Sequence, residues 1–217
     1  MDDAQLRRSL REHRQRLEFY DEIHWSQLDK ARDKRADSFQ LASAAIDTFF
    51  DLEGVSFCCT VADREEGNFV GGYSSSWKAY EGLASRVLDA AIGREELVSV
   101  VADHVDTPHN VRFEAAVKDE INRSRDRLAV ATITRAHSHA VDGLQLADLL
   151  LGAAMFDFRQ AVDSGVESAS EKGNLSSQLL DRCDVVSFRP RGKEVPGKFK
   201  VEMRHRTRRG RRGRRGK

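Results

Sequence analysis

The sequence predicts an α/β protein: a mostly parallel sheet covered by helices on both faces. Three observations lead there. Short runs rich in β-branched residues, at 55–63 (VSFCCTVAD), 96–104 (ELVSVVADH) and 127–134 (RLAVATIT), have the length and composition of buried strands. Segments with apolar residues three and four apart separate them. Strands that alternate with such helices pair in parallel, because each crossover helix carries the chain back to the same end of the sheet.

In order along the chain, residues 4–34 are polar and strong in helix formers, with Leu6, Leu10, Leu17 and Ile23 scattered through them. Residues 37–52 predict an amphipathic helix that Gly54 ends. The first strand follows, then a glycine-rich turn at 67–72 and a helix over 75–92. The second strand, a helix over 109–126 and the third strand lead to a long apolar helix over 142–158. Residues 164–178 read as a linker, and 184–190 and 198–204 as two strands able to pair in a terminal hairpin. The expected organisation is a domain over 1–160, a linker helix and hairpin over 161–203, and a disordered arginine-rich tail over 204–217.

Composition narrows the function classes. Hydrophobic residues make up 40% of the 217, enough for a core, and no apolar run approaches the length that spans a bilayer. The first residues are charged and lack the apolar stretch of a secretory signal. Three cysteines, two of them adjacent (Cys58, Cys59 and Cys183), make neither a disulfide framework nor a CxxC metal pair. The expectation is a cytoplasmic protein with no membrane partner. The net charge of +1 hides an asymmetry: residues 204–217 hold nine Arg or Lys and no acid, so residues 1–203 carry −8. Such a tail attracts nucleic acid, since arginine pairs with phosphate and releases counterions. It could equally lie solvated against the acidic body.

One residue in the long apolar helix stands out. Asp148 lies among Leu144, Leu146, Ala147, Leu149, Leu150 and Leu151. A helix apolar nearly all round is buried, and an ionised carboxylate is costly there unless a cation, a donor or water compensates. Gln145, three residues earlier, shares its face and makes one polar spot with it. Asp103 ends the second strand, at the carboxyl edge where open parallel sheets bind ligands. Its plainer role is to begin a turn.

These residues carry a resemblance. GLQLADLLLGA resembles the Gln-x-x-Asp helix of the bacterial domain of unknown function 3800 family, which has a ribonuclease-H-like fold. SVVADH is similar to that family's strand ending in Asp, and EIHWSQL (22–28) to its Glu-x-Lys motif, with His24 in place of Lys. Ser138 stands where the family has a small polar residue ahead of the Gln-x-x-Asp helix. The resemblance covers roughly residues 15–160. It departs at the start: the family's opening strand, ending in Asp-Glu-Ser-Gly, has no counterpart here. The expectation is therefore a ribonuclease-H-like sheet whose N-terminal hairpin is missing, from either a truncated gene or a shortened member. A homodimer would cover the edge so bared.

The resemblance implies a nuclease-like protein that hydrolyses nucleic acid phosphodiesters with Mg²⁺ or Mn²⁺. Glu22, Asp103 and Asp148 would be the metal ligands, and Gln145 would orient a carboxylate or a water. The competing expectation is a catalytically inactive nucleic-acid-binding or protein-interaction module, favoured by the missing first acid. Other chemistry is weaker. His104, His109, His137 and His139 could suit zinc, but alternate histidines on an extended chain point apart. Ser138 lacks a nucleophile elbow, the glycines at 67–72 lack a P-loop lysine, and Cys58 and Cys59 sit in an apolar strand as packing residues. Trp25 and Trp77 read as core or interface residues.

Overall fold

A computed structural model of the protein describes residues 3–28, 35–62, 73–160, 170–189, 194–195 and 198–204. Among these, six helices and five strands make an α/β architecture: α1 (Asp3–Leu17), α2 (Arg35–Asp51), β1 (Phe57–Ala62), α3 (Ser76–Ala91), β2 (Val98–Asp103), α4 (Phe113–Ser124), β3 (Val130–Ala136), α5 (Asp142–Gln160), α6 (Glu171–Arg182), β4 (Glu194–Val195) and β5 (Phe199–Arg204). No helix of the described residues is long and apolar enough to cross a membrane. The glycine-rich turn at 67–72 and the arginine tail from residue 205 onward lie outside the described residues.

The strands do not join in the single sheet that their spacing predicts. β2 and β3 pair in parallel as one sheet; β1 pairs in parallel with β5, which pairs antiparallel with β4, as another. A C-terminal strand thus takes the edge of β1, a long-range pairing that local periodicity does not reveal. Nor are both faces of each sheet covered. On the β2–β3 sheet, Val98, Val100 and Ile133 pack with α3 and α4 around Val117 and Ile121. The opposite face is open: Ser99, Val101 and Asp103 alternate outward on β2, paired with Thr132 and Thr134 on β3. The prediction of a fully buried second strand fails here, because Val101 is 48% exposed.

The larger core lies between α1, α2, α5 and α6 and the β1–β5 sheet. Leu6, Leu10, Leu41, Ile46, Phe49, Leu149, Leu150, Phe188 and Phe199 are all buried in it. α1 is shorter than the helical propensity of 4–34 suggests. Glu18 takes a left-handed conformation (φ 51°), the Phe19 N–H bonds the Arg14 carbonyl, and Phe19 turns into the core. Burying Phe19 outweighs the weak propensity of the next residues, so the chain runs on as an irregular strap over 19–28 with one 3₁₀ turn at Trp25–Gln27.

Two segments after residue 160 differ from expectation. Within the stretch read as a linker, α6 forms behind a Ser170 N-cap that accepts the Gly173 N–H. Its small residues are packing residues: Gly173 and Ser176 are buried, and the Ser176 hydroxyl donates to the Ala153 carbonyl of α5 at 2.9 Å. The segment 184–189 is not a strand. The buried Asp157 carboxylate accepts from the Ser187 hydroxyl and the Phe188 N–H, both at 2.9 Å, and plugs Phe188 into the core. The hairpin partner of β5 is Glu194–Val195 instead. Burial pushes the Cys59 and Cys183 thiols up to about 12, so both stay protonated as packing residues.

The strap lies across α5, and the Trp25 side chain packs over Gly152. A Cβ there would overlap the Trp25 ring at Cγ. Trp25 also meets Phe156 edge to face at 6.1 Å, one turn further along α5. Gly152→Ala should therefore lower the unfolding free energy by roughly 1–3 kcal/mol. Urea denaturation of Gly152→Ala, Trp25→Ala and the double variant should show the double variant losing less than the two singles together. A Gly152→Ala chain as stable as the parent would refute the contact.

Candidate functional site

The Gln-x-x-Asp pair of α5 faces the strap, and its geometry follows from two periodicities. Residues 145 and 148 are one helical turn apart, with Cβ atoms about 5–6 Å from each other. Alternate N–H groups of an extended chain point the same way, about 6.6 Å apart. The Ile23 N–H donates to Gln145 Oε1 at 3.0 Å, and the Trp25 N–H donates to Asp148 Oδ2 at 2.7 Å. The two side chains grip one edge of the strap backbone.

Gln145 is only 2% exposed and uses both ends of its amide. Oε1 also accepts from Arg14 Nη2 at 3.0 Å, and Nε2 donates to the Ser138 carbonyl at 3.0 Å. One side chain thus joins α1, the strap, α5 and the 3₁₀ turn Ser138–Ala140. Arg14 is held a second time by Asp142, at 2.6 Å. Asp148 is more open, with its side chain 36% exposed. Nδ1 of His24 lies 3.3 Å from Asp148 Oδ2, but the same nitrogen accepts the Ser26 N–H at 3.1 Å. In that role Nδ1 carries no proton to give the carboxylate.

The three acids expected to hold a divalent cation are not brought together as a ligand set. Asp148 accepts strap backbone. Glu22 lies on the exposed side of the strap, next to Ile23. Asp103 does end β2 at the carboxyl edge, exposed, with Oδ1 accepting the His104 N–H at 2.8 Å. No three His, Cys, Asp or Glu residues able to hold a metal ion gather among the described residues. No chemical step is therefore routed through a Mg²⁺ or Mn²⁺ centre.

Beside this crossroads lies a cleft of about 500 Å³, lined by Arg7, Arg11, Arg14, Gln15, Tyr20, His139, Ala140 and Asp142. Arg7, Arg11 and Arg14 are spaced four and three apart, so they line one face of α1, next to the face that buries Leu6 and Leu10. Arg7, Arg11 and Arg14 line this cleft with a single acid, Asp142, on a body whose residues 1–203 are net negative. The sequence reading passes over this cluster; the four-and-three spacing of the arginines is the signal that marks it.

The histidines also differ from expectation. The chain at 138–140 is a 3₁₀ turn and not extended, and the rings of His137 and His139 are neighbours. Their rings stack at 5.5 Å between centroids, and His137 stacks on His104 at 4.6 Å, with planes within 27°. Rings face to face do not present converging nitrogens to zinc.

No family model matches the chain, and neither a curated protein nor a solved structure matches it.

Two substitutions separate a backbone grip from a metal ligand. Asn keeps an oxygen able to accept the Trp25 N–H, so Asp148→Asn should change stability by less than about 1 kcal/mol, and Asp148→Ala should cost about 1–3 kcal/mol. Gln145→Ala, which orphans an N–H, a carbonyl and part of a guanidinium, should cost more than either. Chemical denaturation ranks the three; Asn and Ala behaving alike at 148 would contradict the grip.

Proposed function

We propose that this chain is a non-catalytic nucleic-acid-binding protein that takes hold of the phosphate backbone through the arginine cleft and the tail. The observation that carries this reading is the concentration of Arg7, Arg11 and Arg14 in one cleft of a body whose residues 1–203 are net negative. A cleft of that sign on such a body focuses polyanions where charge elsewhere repels them. Arg7 and Arg11 are exposed, and guanidinium groups suit phosphate oxygens. The arginines of 204–217 add a second, sequence-independent attachment.

The resemblance to the domain of unknown function 3800 family, with its ribonuclease-H-like fold, belongs to the same proposal. The alternation of strands and helices from 57 to 160, with β2 and β3 parallel, supports it; the division of the strands between two sheets departs from it. On this reading the Gln-x-x-Asp element does structural work, and the metal-dependent nuclease is the competing proposal.

The test is binding of a labelled oligonucleotide, followed by fluorescence anisotropy between about 50 and 200 mM salt. The parent chain should bind with an affinity that falls steeply with salt. Arg11→Ala should reduce the slope of log K against log salt by about 0.7–0.9, the share of one phosphate contact, and removal of 205–217 should reduce it further. Salt-independent binding, or none, would sink the proposal. Turnover of the strand with Mg²⁺ or Mn²⁺ that Asp148→Asn abolishes would put the nuclease in its place.

A further inference from the structure

From the three stacked histidines we infer that the cleft takes single-stranded nucleic acid, with an unpaired base continuing the stack on His139; this rests on the nucleic-acid reading above. His104 and His137 directly follow β2 and β3, at the carboxyl edge where open α/β sheets receive ligands. All three rings belong to exposed residues, so the stack is not a core feature. Its foundations are fixed. The His104 N–H bonds the Ala136 carbonyl at 2.9 Å, and Arg135 holds the carbonyl of Val105 and the carboxylate of Glu114. At the other end, Gln145 holds the Ser138 carbonyl between His137 and His139.

His139 is the terminal ring, and it lines the arginine cleft together with Tyr20, whose residue is 68% exposed. One cleft therefore offers what a single strand needs. Arg7 and Arg11 meet phosphates, and the outer face of a ring ladder meets a base. A duplex keeps its bases stacked on one another and would leave the ladder unused. The cleft volume, about 500 Å³, falls within the ~300–1,000 Å³ typical of ligand sites.

The experiment compares oligo(dT), oligo(U) and a duplex of equal length on the full chain, at one salt concentration, with melting curves to confirm folding. The parent should prefer both single strands to the duplex. His139→Ala should lose roughly 5- to 30-fold on single strands with its salt slope unchanged and little change on duplex, as expected for one lost base stack. His139→Phe, which keeps a ring and removes the imidazole, should hold most of the affinity. Equal binding of strand and duplex, a silent His139→Ala, or a His139→Phe as weak as His139→Ala would overturn the stacking site and leave the arginine-cleft reading standing. So would displacement of the strand by an equimolar mononucleotide, which would make the cleft a nucleotide pocket. A parent chain that binds neither form fails the nucleic-acid reading, and this one with it.

Discussion

The buried amide of Gln145 is the constraint on which the rest of the candidate site depends. It accepts from Ile23 and Arg14 and donates to Ser138, so three segments distant in sequence take their positions from one side chain. Buried polar groups favour arrangements that satisfy them, and three hydrogen bonds to one buried amide restrict the alternatives, although Nε of Arg14 stays buried without a partner. A residue that merely filled the space would remove the acceptor of the Ile23 N–H, one of the two anchors of Arg14 and the donor to the Ser138 carbonyl. The cleft and the histidine stack both lie against that crossroads: Arg14 and His139 line the first, and Ser138 sits inside the turn that aligns the second.

Charge follows the same geometry. α1 buries Leu6 and Leu10 on one face and sets its arginines on the next, so the helix that closes the larger core also brings cations to the cleft. Like charges along one helix face repel. Arg14 escapes that cost by pairing with Asp142 in the first turn of α5. Arg11, one turn earlier, stays exposed, where water screens it and where an incoming anion finds it.

Much of the element order was legible. Strands at 57–62, 98–103 and 130–136, and helices over 35–51, 76–91, 113–124 and 142–160, stand where apolar spacing placed them within a few residues. What escaped has identifiable causes. The extent of α6 within the expected linker helix was not legible because Gly173, Asn174 and Ser176 read as linker; Gly173 and Ser176 are buried, and the Ser176 hydroxyl bonds α5. The end of α1 was misjudged because the competition was tertiary: Phe19 in the core against continued helix. The pairing of β1 with β5 joins residues more than a hundred positions apart, beyond any local pattern. At the site, Gln145 and Asp148 were rightly marked as one polar spot on an apolar face, but a sequence does not say what faces that spot. The histidine stack was not legible because the 138–140 segment is a 3₁₀ turn and not the extended run that its sequence suggests.

Asp148 shows why a carboxylate on an apolar helix need not mean a cation. What an ionised carboxylate requires is donors, and backbone N–H groups supply them without any charge. An extended strap offers one such group every second residue, close to the spacing of a helical turn. A pair at i and i+3 can therefore hold two of them and set the register. A slip of one residue would turn the N–H groups of Glu22 and His24 toward α5 and carry Ile23 and Trp25 away from the core and from Gly152. The polar pair and the glycine one turn beyond it thus act together: Gln145 and Asp148 select the register, and Gly152 admits the ring that the register delivers. A glutamine, an aspartate and a glycine spaced three and four apart on one helix face can fix an irregular strap as firmly as a strand pairing would. They do so while leaving the aspartate side chain 36% exposed.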